Sequence, residues 1–356
     1  MSIHHYFPRL RWKSAEWEAL QELPTNVLEG LTPIFNVLDI DWDFANNVYK
    51  KNLQDYLGSF GATLAASWPL NRPVIVDVGQ LDSHGGPTSH PLDICVQDAI
   101  QHGKQIIPVY APHYSYNYLA AVQRNSALGV ALKLKANLLL QGHYHLPNLI
   151  AAIGVPEQHI DLIIDFEDIT SCTNELITNA HRLCQQMSNQ AGWRNIILSS
   201  TCYPTSQAGI NQHVIHTHRR EEWELWKQVV FRGGLRKTPA FSDYPTSAAE
   251  ITRVDPRFMQ QYVSIRYSNS IDWIFVKGTA ARGNGWGQTQ QLCDTLVNSG
   301  LFYGSQFSWG DQYIHDRAQG TVGSGGSIVW RKVAHTHHLT LVAGDLINFS
   351  TSHPAI

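Results

Sequence analysis

Short apolar runs recur along the chain, and most of them end on a polar residue. They cover residues 31–40, 72–78, 104–110, 128–134, 160–167, 194–201, 235–243 and 262–267. Continuous runs of this kind are the pattern of parallel strands buried on both faces. Most are separated by room for one helix, at 44–57, 91–102, 115–121, 146–152, 173–188 and 219–230. Eight such units predict an α/β fold, a closed (β/α)8 barrel of the TIM type, over residues 1–284. Residues 285–356 predict a C-terminal α+β extension packed on that barrel. Around 262 the pattern has a second reading. Runs at 264–268 and 273–277 flank Asn269-Ser-Ile-Asp272, so a hairpin could replace a simple eighth unit.

At the start, residues 6–13 read as a short strand or extended lead. Ser14 is the expected N-cap of a first helix, with Glu16 in its first turn. A helix is also expected at 288–299. The glycine-rich stretch 320–326 reads as a mobile loop.

The chain has 356 residues, 43% of them hydrophobic, enough for one large core in a single globular unit. A formal net charge of −3 argues against a protein that coats nucleic acid, and leaves room only for a local basic patch. The five cysteines are scattered without a C-x-x-C pair, which argues against a disulfide framework and for a reducing compartment. Residues after Met1 are polar and lack an apolar signal core, and no apolar stretch approaches the ~20 residues of a membrane span. The expectation is a cytoplasmic protein with no membrane partner.

Several short motifs resemble the phage-associated Beta protein family. They are Tyr6-Phe-Pro-Arg-Leu-Arg-Trp-Lys13 with Glu16 and Leu20, Leu31-Thr-Pro-Ile34, Phe241-Ser-Asp-Tyr244, Ser264-Ile-Arg-Tyr267 and Trp273. Phe307-Ser-Trp-Gly-Asp311, Trp330-Arg331 and His337-His-Leu-Thr340 complete the set. The chain departs from the pattern at Thr336, where Asn is expected before the His pair. The resemblance implies a barrel-like protein from mobile-element or phage-defence settings, and implies no established reaction.

Candidate chemistry sits where strands end, because barrel active sites gather at that edge. Asp39, Asp77, Glu167 and Asp243 close apolar runs, as do Asp165 and Asp168. Convergent carboxylates there can hold Mg2+ or Mn2+, with Asp39, Asp77 and Glu167 as the expected metal ligands. Asp77, Glu167 and Asp243 are the expected acid–base residues. The alternative is that carboxylates cap helices, as Asp168 is placed to do, or pair with cations. Arg11, Lys13, Tyr244, Arg266 and Tyr267 are expected to bind an anionic substrate, and Lys13, Asp243, Tyr244, Arg266 and Tyr267 to share one pocket. His337 or His338 should join a polar pocket, one of the two pointing inward if they lie on a strand. Lys133 falls inside an apolar run, where a salt bridge to Asp165 is the simple expectation and a Schiff base the adventurous one. Pairs His143/His145 and His216/His218, and the group His335/His337/His338, have i, i+2 spacings that a strand could offer to a metal, but none matches a zinc motif.

Two functions follow. One is a barrel enzyme, a metal-dependent phosphoester hydrolase or related nucleotide enzyme, acting on a small anionic ligand or a nucleic acid end. The other is a non-enzymatic recognition module binding a nucleic acid or a partner protein of a phage-defence system. The sequence leaves substrate, metal and oligomeric state open.

Overall fold

A computed structural model describes residues 5–249 and 260–353. The expectation about the extreme N-terminus falls largely on residues 1–4, outside that range. Eight parallel strands form one sheet: β1 (Arg9–Arg11), β2 (Ile34–Asn36), β5 (Val74–Asp77), β6 (Ile106–Tyr110), β7 (Val130–Lys135), β8 (Ile160–Asp168), β9 (Asn195–Thr201) and β11 (Ala240–Ser242). The remaining strands are β3 (Trp42–Asp43) and β4 (Val48–Tyr49), a small hairpin, and β10 (Ile215–Arg219), β12 (Tyr262–Ser268) and β13 (Asp272–Ala280), an antiparallel sheet in the order β10-β13-β12. The parallel sheet closes on itself at a seam. Tyr6 bridges Phe241, and the N–H groups of Phe7 and Arg9 donate to the carbonyls of Phe241 and Asp243 at 3.0 and 2.9 Å.

Seven of the eight expected runs are barrel strands. The run at 262–267 is not: it forms β12 of the antiparallel sheet, the hairpin reading of that region. The eighth barrel strand is β1, in the segment read as a short strand or extended lead and not counted among the eight runs. Barrel strands end at Ser242, well before the division expected at 284, and residues 262–280 share a core with the helices Thr289–Val297 and Trp309–Ala318. The stretch expected to be helical at 44–57 is a hairpin followed by the short helix Leu53–Leu57. Ser14 is the first residue of its helix and not the cap; Lys13 holds the cap position.

The chain's last helix has the most unusual place. Helix Ser327–Ser352 contributes Trp330 and Val333 to the core of the antiparallel sheet. Further along, Leu339, Val342, Ala343, Leu346 and Phe349 join the layer between strands and barrel helices. It packs on the first helix, Ser14–Gln21, and Phe349 touches Trp226 of helix Glu221–Phe231. It therefore fills the outer ring over the seam, where an eighth barrel helix belongs. The loop at 320–326, expected to be mobile, is tied down. Tyr313 Oη donates to the Gly323 carbonyl at 3.2 Å and Trp330 Nε1 to the Ser324 carbonyl at 2.9 Å.

The barrel has two apolar layers, set by the period of two along each strand. Outward residues such as Leu10, Phe35, Val76, Leu132, Ile164, Leu198 and Phe241 pack under the helices. Inward residues Phe7, Ile34, Ile75, Ile107, Val109, Ala131, Ile163, Ile197 and Ala240 fill the barrel. Phe241 anchors the seam from outside, with ring centroids 5.8 Å from Tyr6 and 5.0 Å from Trp223. Phe241→Ala should lower unfolding free energy by about 3–5 kcal/mol, the usual cost of emptying a buried phenyl site. Urea denaturation followed by tryptophan fluorescence measures it.

Candidate functional site

Stepping two residues along each strand from its inward apolar residue changes the chemistry. Phe7 is followed by Arg9, Ile34 by Asn36, Ile75 by Asp77, Ala131 by Lys133 and Ile163 by Asp165. The next steps reach Lys135 and Glu167. The barrel is thus apolar in its middle and polar at the C-terminal mouth, with a separate part-buried pair, Asp161 and Arg194, at its other end. These seven side chains, with His113, Tyr114, Tyr244 and Gln80, line a cavity of about 340 Å³.

Two units with the same composition face this cavity. In the first, Lys133 Nζ lies 2.5 Å from Asp77 Oδ2 and 2.7 Å from Tyr114 Oη, and Tyr114 donates to Asp77 Oδ1 at 2.7 Å. In the second, Arg9 donates to Asp165 Oδ2 at 2.6 Å and Tyr244 Oη donates to the same oxygen at 2.7 Å. The Arg9 guanidinium lies 4.7 Å over the Tyr244 ring and also donates to Asn36 Oδ1 at 3.2 Å. Each unit is a cation, a carboxylate and a phenol. Glu167 has φ +55 and donates its N–H to Asp165 Oδ1 at 3.0 Å, which turns the chain at the rim. Its carboxylate pairs with Lys135 at 2.8 Å in a half-exposed bridge worth little by itself.

Burial pushes the Asp77 carboxyl up, but Lys133 and then Arg9 outweigh it and hold it below the usual carboxylate range. Burial, then Asp77, keeps the Tyr114 phenol far above its ordinary value; burial does the same for Tyr244, with Asp165 adding to it against Arg9. Burial and then the neighbouring Lys133 and Lys135 lower the His113 imidazole, so it is neutral near pH 7 and able to accept a proton. The mouth therefore offers charged carboxylates, phenolic donors and a neutral imidazole around one small volume. Arg9 Nε, Ser199 Oγ and Ser242 Oγ are buried there or just below without a hydrogen-bond partner.

Among the sequence-derived candidates, Asp77, Glu167 and Tyr244 line this cavity. Asp39 does not; His84 Nε2 lies 3.0 Å from its Oδ1. Among the described residues no group of three or more His, Cys, Asp or Glu is placed to hold a metal, so Asp39, Asp77 and Glu167 do not assemble as expected, nor do the histidine pairs. Lys133 pairs with Asp77 and not with Asp165. Asp168 does not cap the following helix, where Thr173 does; its Oδ1 accepts the Ala249 N–H at 2.9 Å. Lys13 is exposed, just past β1.

Asp243, Tyr267, His337 and His338 belong elsewhere. Ala240 and Ser242 point inward, so Asp243 points outward, away from the cavity. It is fully buried, receives Tyr6 Oη, and lies 2.7 Å from His338 Nε2. His338 Nδ1 lies 3.0 Å from Ser268 Oγ, and its ring stacks on Trp273 at 4.4 Å. His337 Nδ1 lies 2.9 Å from Asp311 Oδ2, which also accepts Ser308 Oγ at 2.6 Å; Asp311 Oδ1 accepts Tyr267 Oη at 2.5 Å. Both histidines are on a helix, where neighbours are 100° apart, so a helix held between two sheets buries both. The expected single pocket of Lys13, Asp243, Tyr244, Arg266 and Tyr267 is therefore divided. Arg9, Asn36, Tyr114 and Lys135 were not singled out in the sequence, although their i+2 spacing from interior apolar residues, or their place beside a strand end, was there to be read.

A parallel barrel with a charged, hydrogen-bonded mouth defines the class of this protein. The family model described as Beta protein matches residues 6–344, and the chain belongs to that family. Among solved structures it is similar to the tryptophan synthase alpha chain from Legionella pneumophila subsp. pneumophila, at 9% identity and a TM-score of 0.27, covering 55% of this chain and 79% of that one. No curated protein matches it. Among the described residues no helix is long and apolar enough to cross a membrane.

His338 gives the buried tie a pH signature. Burial, then Arg220 and the neighbouring histidines, holds its imidazole well below the ordinary value. Below about pH 6.5 the unfolded chain takes up the proton and the folded chain does not, so stability falls by about 1.4 kcal/mol per pH unit at this residue. Burial lifts Asp243 to about 6, which has the opposite sign between about pH 4 and 6. His338→Asn should therefore be clearly less stable than wild type at pH 7, with the gap narrowing at pH 5. Thermal unfolding at the two pH values reads the difference.

Proposed function

We propose that this protein is a barrel enzyme acting on a small anionic, phosphate-bearing substrate seated in the mouth cavity. The observation that carries this reading is the pair of cation–carboxylate–phenol units turned toward one cavity at the C-terminal edge. A barrel built for stability alone would continue its apolar filling there, because buried charge is costly even when paired. In this reading Arg9, Lys133 and Lys135 hold the anion, with Lys133 and Arg9 shared between substrate and carboxylate. Tyr114 and Tyr244 donate protons or hydrogen bonds, and Asp77, Glu167 and His113 are the bases.

Metal assistance by Mg2+ or Mn2+ fits the mouth poorly. Asp77 and Glu167 are each engaged by a lysine, and a divalent ion would have to displace both. The proposed chemistry is acid–base chemistry by the protein's own groups, and turnover should survive EDTA.

A panel of phosphorylated metabolites and nucleotides, screened by thermal shift and by phosphorus NMR for turnover, tests the reading. Wild type should bind at least one and convert it. Lys133→Met and Asp77→Asn should lose conversion by at least about a hundredfold, the usual weight of a positioned acid or base, while remaining folded. Variants that melt far lower, with ligand binding and conversion intact in the folded fraction, would assign the units to stability and favour a recognition module. A role in phage defence is part of the proposal and adds one assay: a plaque-reduction phenotype of wild type should disappear in Lys133→Met.

A further inference from the structure

Three arginines meet outside the mouth cavity, between the barrel and the antiparallel sheet. Arg11 ends β1, Arg266 lies on β12, and Arg331 lies in the first turns of helix Ser327–Ser352. Their convergence follows from geometry. On β12, Ser264, Arg266 and Ser268 share a face, and Arg266 stands opposite Phe275 on β13. On the helix, Arg331, His335 and His338 are i, i+4 and i+7 and share a face. The two faces meet where Ser268 Oγ contacts His338 at 3.0 Å, which sets Arg331 toward Arg266. His335 Nε2 lies 3.3 Å from Thr246 Oγ1 and 3.7 Å from Glu16 Oε1, tying the same helix face to the barrel's rim. Arg11 reaches this rim and donates to the Ala248 carbonyl at 3.0 Å.

Among the described residues the positive charge of this junction meets few carboxylates at Arg266 and Arg331. Glu16, in contact with His335, and Asp168 are the described carboxylates whose fields reach Arg11. No described carboxylate forms an ion pair with Arg266 or Arg331. Unpartnered polar groups collect at the same place. Arg266 Nε and Ser264 Oγ are each enclosed without a hydrogen-bond partner, and the hydroxyl of the buried Tyr203 lies beside them with the Gln207 side chain in reach. Tyr203 packs edge-on against Phe275, the cross-strand neighbour of Arg266. Buried polar groups are nearly always satisfied, and two orphans around like charges mark a place for a missing acceptor. The charges feel one another as well: burial and then Arg266 lower the Arg331 guanidinium, and burial lowers Arg11, with Arg331 and Arg266 adding to it against Glu16.

We infer that Arg11, Arg266 and Arg331, with Tyr203 and Ser264, form an oxyanion site that takes the phosphate or diphosphate group of a small ligand. Guanidinium forks match phosphate oxygens, and a phenol and a serine hydroxyl complete the donor set. The part-buried setting favours a small ligand over a nucleic acid backbone, which needs an open basic track. This site stands whether or not the mouth is catalytic.

Calorimetric titration of the full chain with inorganic phosphate and with pyrophosphate, at constant ionic strength, tests it. Pyrophosphate should bind, and Arg266→Gln and Arg331→Gln should each weaken it by at least about tenfold, the weight of one charge-assisted hydrogen bond. Without ligand both variants should melt at or above the wild-type temperature, because like-charge repulsion is relieved. In a Lys133→Met background, which impairs the mouth, pyrophosphate should still bind and Arg266→Gln and Arg331→Gln should still weaken it. Absence of pyrophosphate binding to wild type up to millimolar concentration overturns the proposal. So does binding that survives both arginine variants, or binding lost in Lys133→Met alone, which would move the phosphate into the mouth. Binding of a single-stranded oligonucleotide, lost in Arg331→Gln, without any binding of pyrophosphate, overturns the small-ligand assignment.

Discussion

One buried carboxylate joins the three parts of this structure. The Asp243 backbone carbonyl accepts the Arg9 N–H and so closes the barrel seam. Its side chain accepts Tyr6 Oη from the start of the chain and contacts His338 from the last helix. His338 in turn reaches Ser268 of the antiparallel sheet. Arg220, fully buried and 3.2 Å from Asp345, adds positive charge nearby. Removing one member of such a buried polar set typically costs about 3–5 kcal/mol, because the remaining members stay desolvated without partners. Seam, helix ring and second sheet are therefore coupled at a single point, and none of them is an independent appendage.

Against that rigid frame the mouth is polar for reasons that packing does not supply. The same strands that bury Ile75, Ala131 and Ile163 place Asp77, Lys133 and Asp165 two residues later. Paired charges can be kept in such a place, but a well-packed apolar layer would usually be as stable or more so. In the proposed reading the charges at the C-terminal edge serve a substrate, whereas the part-buried Arg194–Asp161 pair at the other end, 2.6 Å apart, ties β8 to the start of β9.

Much of the fold was legible because seven barrel strands carry unbroken apolar runs. The exception is informative. In Tyr6-Phe-Pro-Arg-Leu-Arg-Trp-Lys13 the inward positions after Phe7 are Arg9 and Arg11, so the residues that serve the mouth and its rim erase the pattern that announces a strand. Conversely, Val263, Ile265 and Tyr267 look like a barrel strand because they face a second core. The carboxylates at strand ends were visible as a group, but which face each takes depends on register. Asp77 follows Ile75 inward, whereas Asp243 follows Phe241 outward, and a one-residue difference in phase decides between cavity and structural tie. The histidines of the last helix were unreadable for a similar reason. A helix enclosed on most sides loses the polar face by which helices are recognised.

The last helix covering the seam has a consequence for biosynthesis. β1 can gain its second neighbour only once Phe241 and Asp243 have been made, and the seam gains its covering helix only after residues 327–352 emerge. Until then the outward faces of Tyr6, Leu10 and Phe241 lack their shelter, and the sheet keeps two free edges. Long-range closure of this kind is slow, and open edges invite pairing with other chains. The nascent barrel must therefore wait, nearly complete and exposed, for residues 327–352, and its vulnerability to aggregation is greatest in that interval.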